Sequence, residues 1–509
     1  MPPDHESWWI ASTDVTHHPP LPPEGVEVDV AVLGGGIAGL TTAYLLARAG
    51  RSVCVVEAGR IAEGVSGYTT AKISVGHNLV YADLADRFGA DAARTYAASQ
   101  SAALEFIVET VGREDIACEL ERLPSLVYTE SADEAGAIDD ELTAATDAGI
   151  AVRRPTADEL PEGAIGGVVH EDQAQFHPRR YLLALADRIV SLGGRIVENT
   201  RAHDVDPGEP CVVDTDHGQV RARDVVVATH YPFLDRGLLF ARLAAYRDVV
   251  VAFAVDADTV PPVMAISTGS EEGGTHSVRS TPYREGRRLL IVTGGQYKTG
   301  TTTDVSERYH VLTRWAQERF GVGEPDYRWS TQDAASVDRV PYIGRLPFGG
   351  DHVWVATGFS GWGMTGGTVA GLLLSDLLQQ RVNPWADLYD PGRADVRASA
   401  AKLTKENLQV AKELAVDAMR PDLLSLDDLA PGEAGIVAGP GPLRRTAVYR
   451  DEKGELHAVS GRCTHLGCTV RFNDAETSWD CPCHGSRFGI DGSVLAGPAV
   501  DPLEPRSVE

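Results

Sequence analysis

Apolar positions along this chain change rhythm several times, and each change predicts an element. Val28 to Leu33 is a nearly unbroken apolar run that ends in a glycine turn. The stretch IAGLTTAYLLARAG then spaces its apolar residues as one helix does, and Val53 to Val56 is a second short apolar run, closed by Glu57. Short, continuous, β-branched runs are the mark of strands covered on both faces, so this order predicts strand, turn, helix, strand in a parallel sheet. Val225 to Thr229 (VVVAT) repeats the strand signal, and Val353 to Gly371 (VWVATGFSGWGMTGGTVAG) repeats strand, glycine turn and helix. Between them lie RLPSLVYTE (122–130), DVVVAFAVDA (248–257) and RLLIVTGGQY (288–297), whose alternation predicts strands of an antiparallel sheet. Near the C-terminus GIVAGPGPLRRTAVYRDEKGELHAVSGR reads as short strands joined by tight turns.

At 509 residues the chain exceeds one ordinary core, and roughly 150 residues per domain predicts about three. A formal net charge of -27 argues against nucleic acid and against anionic membranes, both of which need clustered Lys and Arg. The N-terminus lacks the basic and apolar regions of a secretory signal, and no run approaches 18 apolar residues. The expectation is a soluble, cytoplasmic protein with no membrane partner. Cys54, Cys118 and Cys211 sit singly among apolar neighbours and are expected as buried, reduced thiols. Only six residues are Lys, which draws attention to each of them.

The first glycine turn carries chemistry. Gly34, Gly36 and Gly39 form G-x-G-x-x-G between strand and helix, the spacing that permits a tight turn, close approach of a pyrophosphate and close helix packing. The start of the helix, at Ile37 and Ala38, offers N–H groups and a partial positive charge to phosphates. Glu57, at the end of the second strand beside Ala58, is placed to accept hydrogen bonds from a ribose.

The late segment decides which dinucleotide. GFSGWGM (358–364), with QFHPRRYLLALADRI (175–189) and VDRVPYIG (337–344), resembles the D-amino acid oxidase and glycine oxidase-like flavoproteins, over about residues 25 to 385. The resemblance implies bound FAD in an α/β, Rossmann-like domain of the glutathione reductase type, with an inserted antiparallel-sheet substrate domain. It assigns the cofactor to Gly34, Gly36, Ile37, Ala38, Gly39, Glu57, Ala58, Thr69, Thr70, Ala71, Lys72, Val205, Ala228, Thr229, Gly358, Gly361, Trp362, Gly363, Met364 and Thr365. It places the loop GVSGYTTAKIS beside the isoalloxazine, so Lys72 is expected to stabilise negative charge on reduced flavin, and Lys72 and Trp362 are the expected catalytic residues. His77 lies close by, and covalent as well as non-covalent attachment stays open. Amino-acid-oxidising members carry a carboxylate-clamping arginine before the T-P-D-x-x-P-x-I-G-like segment. Aligning Asp338 with that aspartate puts Asp333 near the arginine position, which favours an amine or another neutral or cationic substrate. Arg247, Arg279, Tyr283, Tyr297, Tyr342 and Trp362 are the candidate pocket residues.

CTHLGCTVRFNDAETSWDCPCHGSRF (463–488) gathers four of the seven cysteines with two histidines. Cys463 with His465 and Cys481 with His484 give C-x-H and C-x2-H, two thiolates and two imidazoles. Zinc prefers other spacings, but zinc and a plain disulfide loop remain alternatives to a [2Fe-2S] cluster held by two Cys and two His. CTHLGC and CPCHGS resemble the paired loops of Rieske proteins of cytochrome bc-type complexes. The resemblance implies a Rieske cluster on those four residues and a disulfide between Cys468 and Cys483. It also makes AGPAVDPLEP the covering proline loop, and it places Ser486 to hydrogen-bond a cluster sulfide. High-potential members have Tyr where this chain has Phe488, so a lower potential is expected.

The expected limits are an N-terminal extension (1–24), a discontinuous FAD-binding domain (25–78, 175–240, 336–385), a substrate domain (79–174, 241–335), a helical linker (386–421) and an all-β Rieske domain (422–509). Joined, these parts predict an FAD-dependent dehydrogenase or oxidase acting on CH–NH or CH–NH2 groups of a small molecule. Single electrons then leave through the cluster to an external acceptor. An external donor with reverse flow, and a substrate-free electron-transfer module, are the alternatives.

Overall fold

The computed structural model describes residues 5–269, 274–393, 426, 429–438 and 445–507. The expected linker helix over 394–419 lies outside the described residues.

The apolar runs assemble into one eight-stranded sheet. Its path is Tyr342–Arg345, Val353–Thr357, Gln219–Val227, Val26–Leu33, Val53–Val56 and Arg195–Val197, with the hairpin Ala202–Asp206/Cys211–Thr215 attached to Gln219–Val227. From Val353–Thr357 to Arg195–Val197 the neighbours are parallel. A parallel sheet needs cover on both faces, and the helices Ile37–Arg48, Pro178–Ser191 and Gly363–Leu378 belong to that cover. The Ile37–Arg48 and Gly363–Leu378 helices cross so closely that a Cβ at Gly371 would stand 2.5 Å from Thr41 Cγ2. The glycine-rich sequence of the late helix is thus a packing requirement as well as a turn signal.

The alternating segments build a second, nine-stranded sheet. Its path is Tyr327–Ser336, Leu243–Asp256, Arg287–Lys298, Ser277–Arg284, Met264–Ser267, Glu121–Thr129, Gly166–Gln175 and Lys72–Ile73, with Val152–Arg153 attached to Gly166–Gln175. It is antiparallel except where Met264–Ser267 runs parallel to Glu121–Thr129. Two details differ from the expected domain limits. Lys72 and Ile73, inside the 25–78 segment, pair with Gln175 and Ala174 in this second sheet. The helix Ala90–Glu114, inside 79–174, packs on Gly363–Leu378 of the first layer, because its buried stripe (Ala93, Ala97, Leu104, Ile107) needs an apolar partner there.

The C-terminal segment forms two small antiparallel sheets, Ala434–Ala438/Arg445–Arg450/Leu456–Ser460 and Arg471–Asn473/Ser478–Asp480/Arg487–Gly489/Val494–Ala496. Val470, Trp479, Phe488 and Leu503 are the centre of their own core.

This unit docks on the edge of the second sheet, and strand periodicity explains how. In the Leu243–Asp256/Tyr327–Ser336 pair, Arg247 faces Gln332 and Asp248 faces Thr331. Successive side chains point to opposite faces. Arg247, Ser330 and Gln332 therefore meet the C-terminal unit, while Asp248, Thr331 and Asp333 line a cavity on the other face. Arg247, 2% exposed, donates to both oxygens of Glu476 at 2.6 and 2.7 Å, and Gln332 Nε2 donates to Gly485 O at 2.9 Å. Asp474 accepts from Val305 N (2.7 Å) and so caps the helix Val305–Phe320 from across the junction.

Candidate functional site

A cavity of about 960 Å³ runs between the two sheets and is bounded on one side by the C-terminal unit. Its floor is the glycine turn. Gly34 adopts φ +106°, and a Cβ there would stand 2.4 Å from Ala228 O, so only glycine fits. Glu57 closes the turn, with Oε2 accepting from Gly35 N (2.7 Å) and Oε1 from Gly59 N (2.9 Å). Burial raises the Glu57 carboxyl against those two backbone donors. Each oxygen keeps a further lone pair for a ligand hydroxyl.

Of the residues expected at the cofactor, Gly34, Gly36, Ile37, Ala38, Glu57, Ala58, Thr69, Thr70, Lys72, Ala228, Thr229, Gly361, Trp362, Gly363 and Met364 line this cavity. Gly39, Ala71, Gly358 and Thr365 lie outside its wall, in supporting positions. A Cβ at Gly39 would meet Gly34 O at 1.9 Å, which is the close helix packing expected of the third glycine. Val205 is a correction. It is fully buried in the core of the first sheet, and Ala202, three residues earlier, lines the cavity. The strand Ala202–Asp206 leads away from the cavity edge, and sequence spacing did not fix which residue stood there.

Lys72 is 7% exposed, and its Nζ donates to Ala265 O and Ser277 Oγ, each at 2.7 Å. Burial, with the Arg279 guanidinium nearby, pushes the ammonium down to about 7. Trp362 stacks on His77 (4.5 Å, 20° between planes), a buried residue whose Nε2–H donates to Ser74 O (2.7 Å) and whose Nδ1 accepts from Tyr96 OH (2.7 Å). His77 lines the cavity, as do Asp248 and Asp333. Burial, helped by the Asp333 charge, pushes the Asp248 carboxyl up to about 6, and Gln296 Nε2 donates to it at 3.2 Å. Asp333 accepts from Gly361 N and stands 3.6 Å from His230 Nε2.

Most of the other pocket candidates serve elsewhere. Arg247 faces the C-terminal unit. Arg279 donates to Thr70 O (2.9 Å) and Ala71 O (2.7 Å), holding the Thr69–Lys72 loop in place. Tyr342 lies between the guanidinium groups of Arg242 and Arg393, at 4.2 and 4.1 Å. Tyr297 packs under Arg308, and Tyr283 meets Trp8 edge-on.

The second site lies in the C-terminal unit. Cys468 and Cys483 form a disulfide, which removes two of the four thiols and excludes a site built on all four. Cys463 and Cys481 remain free and buried. The neighbouring Cys481 thiol and the Ser486 hydroxyl hold Cys463 down to about 6, while Cys481 is pushed up. The imidazoles of His465 and His484 stand 5.0 Å apart at 89°, and His484 Nδ1 is buried with no hydrogen-bond partner among the described residues. Two adjacent thiols and an orphaned imidazole nitrogen fit a two-Cys, two-His cluster. The outer edges of both histidines are covered by the 231–240 loop of the larger unit. Asp235 Oδ1 accepts from His465 Nε2 at 2.9 Å, and Phe240 and Tyr231 flank His484 at 5.7 and 6.4 Å. Tyr231 also lines the large cavity, so the same residue borders both sites.

Comparison with known proteins agrees with both halves. The family model "FAD dependent oxidoreductase" matches residues 29–377, and "Rieske [2Fe-2S] domain" matches 424–506. The Rieske 2Fe-2S iron-sulfur protein YhfW of Bacillus subtilis is 37% identical over 501 residues, 98% of this chain and 97% of the relative. Gamma-glutamylputrescine oxidoreductase of Escherichia coli is 28% identical over 385 residues, 72% of this chain and 87% of the relative. The crystal structure of glycine oxidase from Geobacillus kaustophilus superposes with a TM-score of 0.57 at 20% identity, covering 72% of this chain and 99% of that one, which shows a shared fold.

Proposed function

The chain belongs to the family of FAD-dependent oxidoreductases and carries a C-terminal Rieske [2Fe-2S] domain, and from that premise we propose that it oxidises a small amine and passes the electrons to an external acceptor. Bound FAD supplies hydride acceptance, and the cluster supplies transfer of single electrons. The substrate loses two electrons and two protons and leaves as the imine, its C–N bond having become C=N.

The observation that carries the amine reading is the pair of carboxylates, Asp248 and Asp333, on one face of neighbouring strands and open to the cavity. Facing carboxylates attract an ammonium group and repel the carboxylate of a simple amino acid. Arg339, the guanidinium at the cavity wall nearest the expected clamp, already lies 3.8 Å from Asp83. The similarity to gamma-glutamylputrescine oxidoreductase, whose name gives a putrescine derivative, supports the same class. In this scheme the carboxylates position the substrate, and Lys72 holds positive charge where negative charge develops. Trp362 and His77 wall the cavity against water.

Anaerobic addition of candidate amines, followed by absorbance, tests the reading. Bleaching of the flavin followed by reduction of the cluster supports it, and Asp248→Asn then raises KM far more than it lowers kcat. Reduction of the cluster by an external donor alone, with no amine bleaching the flavin, overturns it.

A further inference from the structure

The Rieske segment Val494–Val500 comprises the last strand of its domain, Val494–Ala496, and the start of the proline loop that the resemblance sets over the cluster. Here it has a second neighbour. Val494, Leu495, Gly497 and Val500 line the same cavity as the dinucleotide glycines and Glu57. Arg201, which lines that cavity together with Glu57, donates to Val494 O at 3.1 Å. At the other end, Ala499 N donates at 3.0 Å to Ser486 Oγ, two residues past His484. One loop is therefore strung between an arginine of the dinucleotide cavity and a hydroxyl of the candidate cluster loop. Leu495 lines the cavity and leaves 54% of its surface uncovered, an apolar wall that a bound molecule would cover.

We propose that Val494–Val500 is part of the FAD site, so that FAD is retained by the docked Rieske domain as well as by its own domain. The docking contacts of Arg247 with Glu476 and of Gln332 with Gly485 hold the loop in that position. Linkage makes the effect reciprocal: a loop that slows FAD release must itself be steadied by FAD. The proposal rests on FAD in the cavity and not on the nature of the substrate, so it stands or falls apart from the amine reading.

The test uses the full-length holoprotein without substrate. In Leu495→Ala/Val500→Ala, FAD release, followed by the rise of free-flavin fluorescence on dilution, is expected to quicken at least fivefold while the cluster EPR signal keeps full intensity. Release within twofold of wild type overturns the proposal. Should the variant lose its cluster, wild-type protein decides instead. Amide exchange across 494–500 is expected to quicken when FAD is removed, and equal exchange with and without FAD overturns the proposal.

Discussion

Asp235 accepts a 2.9 Å hydrogen bond from His465 Nε2, so a carboxylate of the flavin domain holds the outer edge of a residue placed to bind the cluster. Asp235 is 44% exposed, and its charge is partly screened. An anion there favours the oxidised, more positive cluster. Asp235→Asn is expected to raise the midpoint potential by about 40 mV, equivalent to about 1 kcal/mol for a one-electron couple. Redox titration followed by EPR measures it, and an unchanged or lower potential would refute the assignment.

Phe488 is fully buried in the Rieske core, at the position where the resemblance puts a tyrosine whose hydroxyl donates to a ligand sulfur. A new hydrogen bond of about 1 to 2 kcal/mol favours the reduced, more negative cluster and corresponds to about 40 to 90 mV. Phe488→Tyr should shift the potential upward by that amount in the same titration.

Glu476 is the hinge of the docking network. Arg247, Arg487 and Ser330 all donate to it, and they hold its carboxyl well below the usual range against a large cost of burial. Glu476→Gln leaves buried guanidinium charge without its counter-ion. It should cost about 3 kcal/mol of stability, read by denaturant unfolding of the holoprotein.

Lys72 sets a pH dependence. Its ammonium titrates near 7 in the folded chain and near 10.5 when exposed, so between those values the folded state binds fewer protons than the unfolded state. The burdened charge is fully present below pH 7 and is relieved as pH rises toward 10.5. Relative to wild type, Lys72→Met in flavin-free protein should therefore gain about 2 kcal/mol at pH 6 and progressively less above pH 7. Parallel unfolding curves across that range would contradict it.

Cys468 and Cys483 are separated by 15 residues, and closing such a loop is worth about 3 kcal/mol. Cys468→Ser/Cys483→Ser should lower the unfolding midpoint of the Rieske domain and hasten loss of the cluster's visible absorbance, with little change in FAD content.

The glycine turn closed by Glu57, and the grouping of Cys463, His465, Cys481 and His484 around a Cys468–Cys483 disulfide, were legible in the sequence because each is a short-range pattern. Both sheets were legible for the same reason, since strand rhythm is local. Asp248, Asp235 and the Val494–Val500 contact were not, because each acquires its role from a partner far away in sequence: Asp333, His465 and Arg201. Arg247 illustrates the same limit. Its neighbour Asp248 faces the cavity while it faces away, and no sequence pattern says which side of an edge strand pair another domain will occupy.

That alternation has an evolutionary corollary. Along Arg247–Asp248 and Ser330–Asp333, alternate positions within each strand serve different tasks, one set domain attachment and the other whatever enters the cavity. Point substitutions can retune either set without disturbing the other. A single-residue insertion in either strand would exchange the two sets at once, so related chains should differ here in side chains and keep strand length fixed.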